Sequence, residues 1–316
     1  MSIFVSIASY RDPVLWETVA DCMRQAADPK SVTIAVVDQS DVAVAPADLP
    51  FGDQVRYIHL DYRYSRGPCW ARSLALTLYG GEQHVLQIDA HTVFDAGWDV
   101  KLVDELAQLK RLSAKPVIST YPCPFERGPD GPVKRPSPGH ALVLQPRRDS
   151  VMSDDNPGFG FEANPVKTTL PLAGYHLGGG CIFSYGRFFL EVPYDPAVYF
   201  LGEEQSLAVR AWTRGWDIFH LPDVPIYHLY AASGERAVHW NADDDAQRQL
   251  RWWQLDQASK ARLRALLYEG APLGVFGLGQ TRTLQDFSDF SGIDYRTRTI
   301  TRRPALAPLV GTGSQI

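Results

Sequence analysis

Gln87-Ile88-Asp89-Ala90-His91 sets a carboxylate and an imidazole one residue apart at the end of an apolar run. Val85, Leu86 and Ile88 read as a buried strand, and alternate side chains on a strand share a face. Asp89 and His91 therefore point the same way, with Ala90 turned away between them. Such a pair is a two-ligand platform for a divalent cation, aimed out of the carboxyl end of a strand, where open α/β sheets bind their ligands. A helix-capping Asp beside a surface His fits the same five residues. Ile226-Tyr227-His228-Leu229-Tyr230 carries a further imidazole on a strand-like run. Alone it reads as a structural histidine; with Asp89 and His91 it completes a half-shell around one metal.

Other segments offer anion and hydroxyl chemistry. In Ser65-Arg66-Gly67-Pro68-Cys69-Trp70-Ala71-Arg72, Gly67 frees the backbone and Pro68 suits the first position of a helix. The exposed N–H groups of that helix start attract anions, and Arg66 and Arg72 add two charges able to fork onto phosphate oxygens. An ordinary helix start with surface arginines fits as well. Gly178-Gly179-Gly180 marks either a close approach to the backbone or a bend entering a strand. Gly202 opens a helix with Glu203 and Glu204 in its first turn, and the 100° between neighbours on a helix leaves room for one of them to face a cleft. Asp38 closes a strand, where it can accept the imide N–H of a pyrimidine or simply form a turn.

The elements that must position these groups alternate. Strands are expected at Ile3–Ala8, Val32–Val37, Val55–Leu60, Val85–Ile88 and Val117–Thr120, and helices at Val14–Ala26, Pro68–Leu78 and Trp98–Leu112. Continuous apolar strands alternating with amphipathic helices imply an α/β fold, a mostly parallel central sheet flanked by helices. Tyr121–His140 is rich in Pro, Gly and charge and reads as a long loop, a candidate lid or wall of a site; Pro146–Leu177 is a second irregular stretch. Order resumes in a strand at Gly178–Ser184, a helix at Glu203–Thr213, a strand at Asp217–His220 and a helical region at Asp243–Leu267, and Gly311–Ile316 is expected to fray. The expected division is residues 1–235 as one α/β domain, in two parts at 1–120 and 121–235, and 236–316 as a helical extension packed on it. Trp240, Trp252 and Trp253 are expected to pack the C-terminal helices rather than stack on a sugar.

With 316 residues and 45% hydrophobic content the chain can bury a substantial core. Its formal charge of −5, without a basic block, argues against a nucleic-acid partner. No run of about 18 apolar residues occurs, so no membrane insertion is expected. Cys22, Cys69, Cys123 and Cys181 are scattered without metal or disulfide spacing. Together these features place the chain in the cytoplasm as a soluble protein with reduced thiols.

Taken in order, the segments resemble glycosyltransferase family 60, of the GT-A fold, which includes the cytoplasmic hydroxyproline-polypeptide α-N-acetylglucosaminyltransferase. The likeness is carried by IFVSIASYRDP (Ile3–Pro13), RGPCWARSLA (Arg66–Ala75), LQIDAH (Leu86–His91), GWD (Gly97–Asp99), GEEQSLAVRAWTRGWDIFHLP (Gly202–Pro222), IYHLY (Ile226–Tyr230) and LGQTRTLQDFSDFSGID (Leu278–Asp294). A looser likeness runs to polypeptide N-acetylgalactosaminyltransferases, whose GGE differs from the single Gly202 here. The resemblance implies a UDP-sugar donor, UDP-GlcNAc, and a hydroxyl acceptor on a protein side chain, a glycan or a small molecule. It implies Mn2+, rather than Mg2+, held by Asp89, His91 and His228. It places Ala8, Ser9, Tyr10 and Arg11 in the nucleotide pocket, and Arg66 and Arg72 near the diphosphate or uridine. Gly179, Gly180, Glu203 and Glu204 fall around the sugar and acceptor, with either glutamate orienting the acceptor or serving as a base. Retention of configuration by front-face attack is the expected outcome. Two rival expectations are a GT-A protein that binds nucleotide-sugar or glycan without turnover, and a metal-dependent nucleotide-sugar pyrophosphatase.

Overall fold

The computed structural model describes residues 1–45, 48, 50–230 and 237–303. The first half alternates as the apolar pattern predicts: β1 (Ile3–Tyr10), α1 (Leu15–Gln25), β2 (Val32–Gln39), β3 (Val55–His59), α2 (Pro68–Leu76), β4 (His84–Asp89), β5 (Thr92–Phe94), α3 (Trp98–Leu109) and β6 (Pro116–Ser119). The strand period explains the layering. Ile3, Val5 and Ile7 of β1 enter the apolar cluster that holds α1 and α3, while Phe4 enters the cluster on the opposite face.

Residues 121–140 depart from the expected loop. They form a hairpin of β7 (Cys123–Gly128) and β8 (Gly131–Lys134), and β9 (His140–Pro146) begins at the end of the stretch. Its prolines concealed it. β8 pairs with β7 alone, and such an edge position tolerates Pro132 because no further strand needs its N–H. The other irregular stretch likewise contains β10 (Phe161–Lys167), antiparallel to β9, and β11 (Leu172–Gly174).

The chain continues through β12 (Cys181–Tyr185), α4 (Arg187–Glu191), α5 (Glu203–Thr213), β13 (Asp217–His220) and β14 (Ile226–His228). Eight strands form the central sheet in the order β11-β13-β6-β12-β4-β1-β2-β3. β4, β1, β2 and β3 run parallel, as do β6 and β13, while β12 lies antiparallel between the two groups. β14 pairs with β5 and β7 in a smaller sheet, which carries residue 228 back toward the end of β4.

The C-terminal helical region is two helices, α6 (Ala242–Gln247) and α7 (Trp252–Leu267), followed by α8 (Leu284–Ser291). Leu263, Leu266, Leu267 and Phe287 share an apolar cluster with Leu207 and Trp212 of α5. The boundary expected at residue 235 and the terminus Gly311–Ile316 lie outside the described residues. None of the three tryptophans lies in the core: Trp240, Trp252 and Trp253 are 45%, 38% and 52% exposed. Among the described residues no helix is long and apolar enough to cross a membrane, and all four cysteines are free.

Candidate active site

The carboxyl ends of β1 and β4 open onto a cleft of about 530 Å³, walled on the far side by Gly179–Gly180, the start of α5 and residues 237–240. Asp89 ends β4, and a single turn residue, Ala90, turns the chain to His91. β14 brings His228 beside them, and one ligand atom from each of the three lies within 4.8 Å of the others. His91 Nδ1 is 2.8 Å from Asp12 Oδ2. Assigning that proton to Nδ1 leaves a lone pair on His91 Nε2. His228 Nε2 stands 2.9 Å from that nitrogen and 3.1 Å from Asp89 Oδ2. One proton on His228 cannot serve both neighbours, whereas a cation between the three satisfies every lone pair. Two imidazole nitrogens and a carboxylate oxygen suit Mn2+ better than Mg2+, which favours an all-oxygen shell. Asp12 supplies an outer hydrogen bond of the kind that would orient His91 as a ligand.

Burial by itself would raise the Asp89 carboxyl, but the His228 hydrogen bond and the Arg72 guanidinium outweigh it and hold the group well below the usual carboxylate range. It is therefore ionised. Arg72 Nη2 donates to Asp89 Oδ1 at 2.6 Å, and Nη1 pairs with Glu203 Oε1. Burial opposes the Arg72 charge, yet its acidic neighbours, Glu203 foremost, raise it well above the ordinary arginine value. Burial also pushes Glu203 up, against the pull of Arg72.

Both glutamates line the cleft, where helical spacing left room for one. The cleft wraps over the open first turn of α5, so neighbours 100° apart both reach it. They differ in partners. Glu203 is buried against Arg72. Glu204 Oε1 accepts from the Gly179 N–H at 2.6 Å, and its Oε2 accepts from the Tyr121 hydroxyl at 2.5 Å.

Close approach explains the glycines. A Cβ on Gly179 would sit 2.9 Å from Arg72 Nη1, and one on Gly180 would sit 2.9 Å from Asp89 Oδ2. Ala8 and Tyr10 line the cleft on the strand face they share, while Ser9 points to the opposite face and is buried. Arg11 turns out of the cleft lining to pair with Asp41 at 3.2 Å and with Asp244 of α6, its guanidinium over the Tyr62 ring. Asp38 accepts from the Tyr57 hydroxyl at 2.9 Å and is not part of the lining. Gly67 and Pro68 line the cleft, but Arg66 faces a second groove with Tyr199 and Arg262.

Several lining residues had no sequence signal. Asp12 follows the Tyr-Arg pair of the first motif by one position. Tyr121 and His176 come from stretches read as irregular. His239 bridges the Tyr199 hydroxyl at 2.6 Å and Ser65 Oγ at 2.8 Å, and Trp240 crosses Phe200 edge to face with centroids 4.9 Å apart. Only the pairing of a C-terminal segment with the cleft could have revealed those two.

The sequence profile of the family described as Glycosyltransferase (GlcNAc) matches residues 2–50 and 43–297. The chain belongs to that family. No curated protein matches this family member. Among solved structures it is similar to GalNAc-T7, crystallised with UDP, GalNAc and Mn2+, at 15% identity and a TM-score of 0.58. That likeness covers 95% of this chain and 58% of GalNAc-T7, so the family member spans little more than half of that protein. It shows the GT-A fold expected from the motifs. Weaker matches are S. aureus TarS 1-349, at 13% identity and a TM-score of 0.43 over 84% of this chain and 72% of that one, and the same protein with UDP-GlcNAc, at 14% and 0.43 over 87% and 75%.

Proposed function

We propose that this chain is a metal-dependent, retaining glycosyltransferase that moves GlcNAc from UDP-GlcNAc to a hydroxyl acceptor. The observation that carries the reading is the convergence of Asp89, His91 and His228 on one point of an open cleft. Membership of the Glycosyltransferase (GlcNAc) family supports the sugar, and a protein of the same fold crystallised with UDP, GalNAc and Mn2+ supports the donor and metal. Bound at the triad, Mn2+ supplies positive charge against the diphosphate of the departing UDP.

The chain's own residues do the rest. Asp12 orients His91, and Arg72 holds Asp89 ionised. Ala8 and Tyr10, at the end of β1, wall the nucleotide side. Glu203 is committed to Arg72, so Glu204 is the carboxylate that meets the acceptor hydroxyl and orients it. In front-face attack the hydroxyl enters on the side that UDP leaves, and its proton passes to the departing phosphate. Rate then comes chiefly from positioning. Residues 1–235 form the catalytic unit in this reading, and the extension from 236 lends it His239 and Trp240. Four free cysteines fit a cytoplasmic setting.

A panel of UDP-sugars with Mn2+, scored by UDP release and by protection against thermal unfolding, tests the proposal. UDP-GlcNAc should stand out in both. If no UDP-sugar protects the protein or loses its sugar, the reading fails.

A further inference from the structure

We infer that His176 is a positioning residue for transfer, acting through Glu204. The inference rests on reading Glu204 as the carboxylate that faces the acceptor.

His176 lies between β11 and β12, lines the cleft and is 1% exposed. Its ring is stacked on Phe161, with centroids 3.3 Å apart and planes 2° from parallel, so its edge has a fixed direction. That edge presents Nε2 to Glu204 Oε2 at 3.4 Å, without hydrogen-bond alignment. The same oxygen accepts from the Tyr121 hydroxyl, and Oε1 accepts from the Gly179 N–H. Two donors and the edge of a buried imidazole, from three separate segments, thus meet at one cleft carboxylate. Burial lowers the His176 pKa, against the pull of Glu204, so the imidazole is neutral and offers a single N–H.

A carboxylate has about four acceptor sites. Gly179 and Tyr121 take one on each oxygen, and the His176 edge flanks Oε2 at 3.4 Å. What remains points into the cleft for a hydroxyl. Positioning is sensitive to such restraint, since a misplacement of about 1 Å can cost about 100-fold in rate. Any flat apolar ring would serve for packing alone. This one has the packing partner and also an edge aimed at the carboxylate.

The experiment is a double-mutant cycle on UDP release from UDP-GlcNAc with Mn2+, water serving as the hydroxyl. His176→Phe keeps the stack and removes the N–H; it should lower kcat at least tenfold with the KM for UDP-GlcNAc within threefold. His176→Gln restores a donor and should recover to within threefold of wild type. In a Glu204→Gln background, His176→Phe should cost less than twofold. Equal losses from His176→Phe in both backgrounds, or equal activity of the Phe and Gln variants, overturn the inference. Calorimetric binding of UDP with Mn2+ checks that each variant is folded, and His176→Leu takes the place of His176→Phe if the latter is not. A Glu204→Gln enzyme as fast as wild type sinks the Glu204 assignment instead, and a wild type that binds no UDP sinks the donor reading.

Discussion

Arg72 ties the Asp89 carboxylate to the first turn of α5: its Nη2 lies 2.6 Å from Asp89 Oδ1, and its Nη1 pairs with Glu203. The guanidinium is almost wholly buried, so the two carboxylates are what make its charge tolerable. A residue whose spacing suggested a phosphate ligand therefore first serves as a strut. The central sheet and α5 meet across it.

Removing one end of that strut should be costly. Glu203→Ala leaves Arg72 buried with Asp89 as its one acidic partner, so the cost should be that of a lost hydrogen bond to a charged group, about 1.5–3 kcal/mol. Urea denaturation of the variant and wild type measures it. A loss below about 1 kcal/mol would show that the pair is not the support described here.

The outer partner of His91 makes a separate prediction. Asp12→Asn keeps size and shape but weakens the hydrogen bond that orients the imidazole, and such changes cost about 10–100-fold in metal affinity. Calorimetric titration with Mn2+ should show that drop, with a larger one for His228→Ala. An Asp12→Asn protein that binds Mn2+ like wild type would separate Asp12 from the metal site.

Gly180 bears on the same ligands from the opposite wall. A Cβ there would meet Asp89 Oδ2 at 2.9 Å and His228 Cδ2 at 3.5 Å. Gly180→Ala should therefore displace Asp89 and weaken Mn2+ binding about tenfold or more, the scale expected when ligand geometry is disturbed. Unchanged Mn2+ affinity in a folded Gly180→Ala protein would contradict the close approach.

Acid should destabilise the fold through His220. This imidazole is fully buried beside the Ser119 carbonyl, and burial pushes its pKa down to about 4. The unfolded chain takes up the proton near the ordinary value of about 6.5, so its contribution to stability is complete above that pH and falls as pH drops toward 4. The share lost is about 3 kcal/mol. His220→Asn removes the titrating group, and its stability should vary less between pH 6.5 and 4 by about that amount. Parallel pH profiles for the two proteins, from urea denaturation, would exclude His220 as the cause.

The fold was legible because its signal is local. Ile3, Val5 and Ile7 against Phe4 show a two-faced strand in the sequence, and Glu203–Thr213 and Asp217–His220 begin and end where their apolar periods and Gly202 indicate. The β7–β8 hairpin was not legible, since an edge strand has no buried face to impose alternation and can keep its prolines. Trp240 escaped for a related reason. Being apolar does not decide whether a side chain fills a core or lines a cleft.

Within the site, the apolar run marks Asp89 as a strand end, but β4 stops there and the bend at Ala90 brings His91 beside it; the close packing of Gly179 and Gly180 is written in their lack of side chains. Arrival of His228 beside them depends on β14 pairing with β5, about 135 residues earlier in the chain, an event of topology that no local pattern encodes. The same holds for Arg72, which chain spacing assigns to an anion and the folded packing assigns to Asp89 and Glu203. Residue types determined which chemistry was possible; the partners each charged group finds in three dimensions decided which was realised, because a buried charge is stable only where an opposite one meets it.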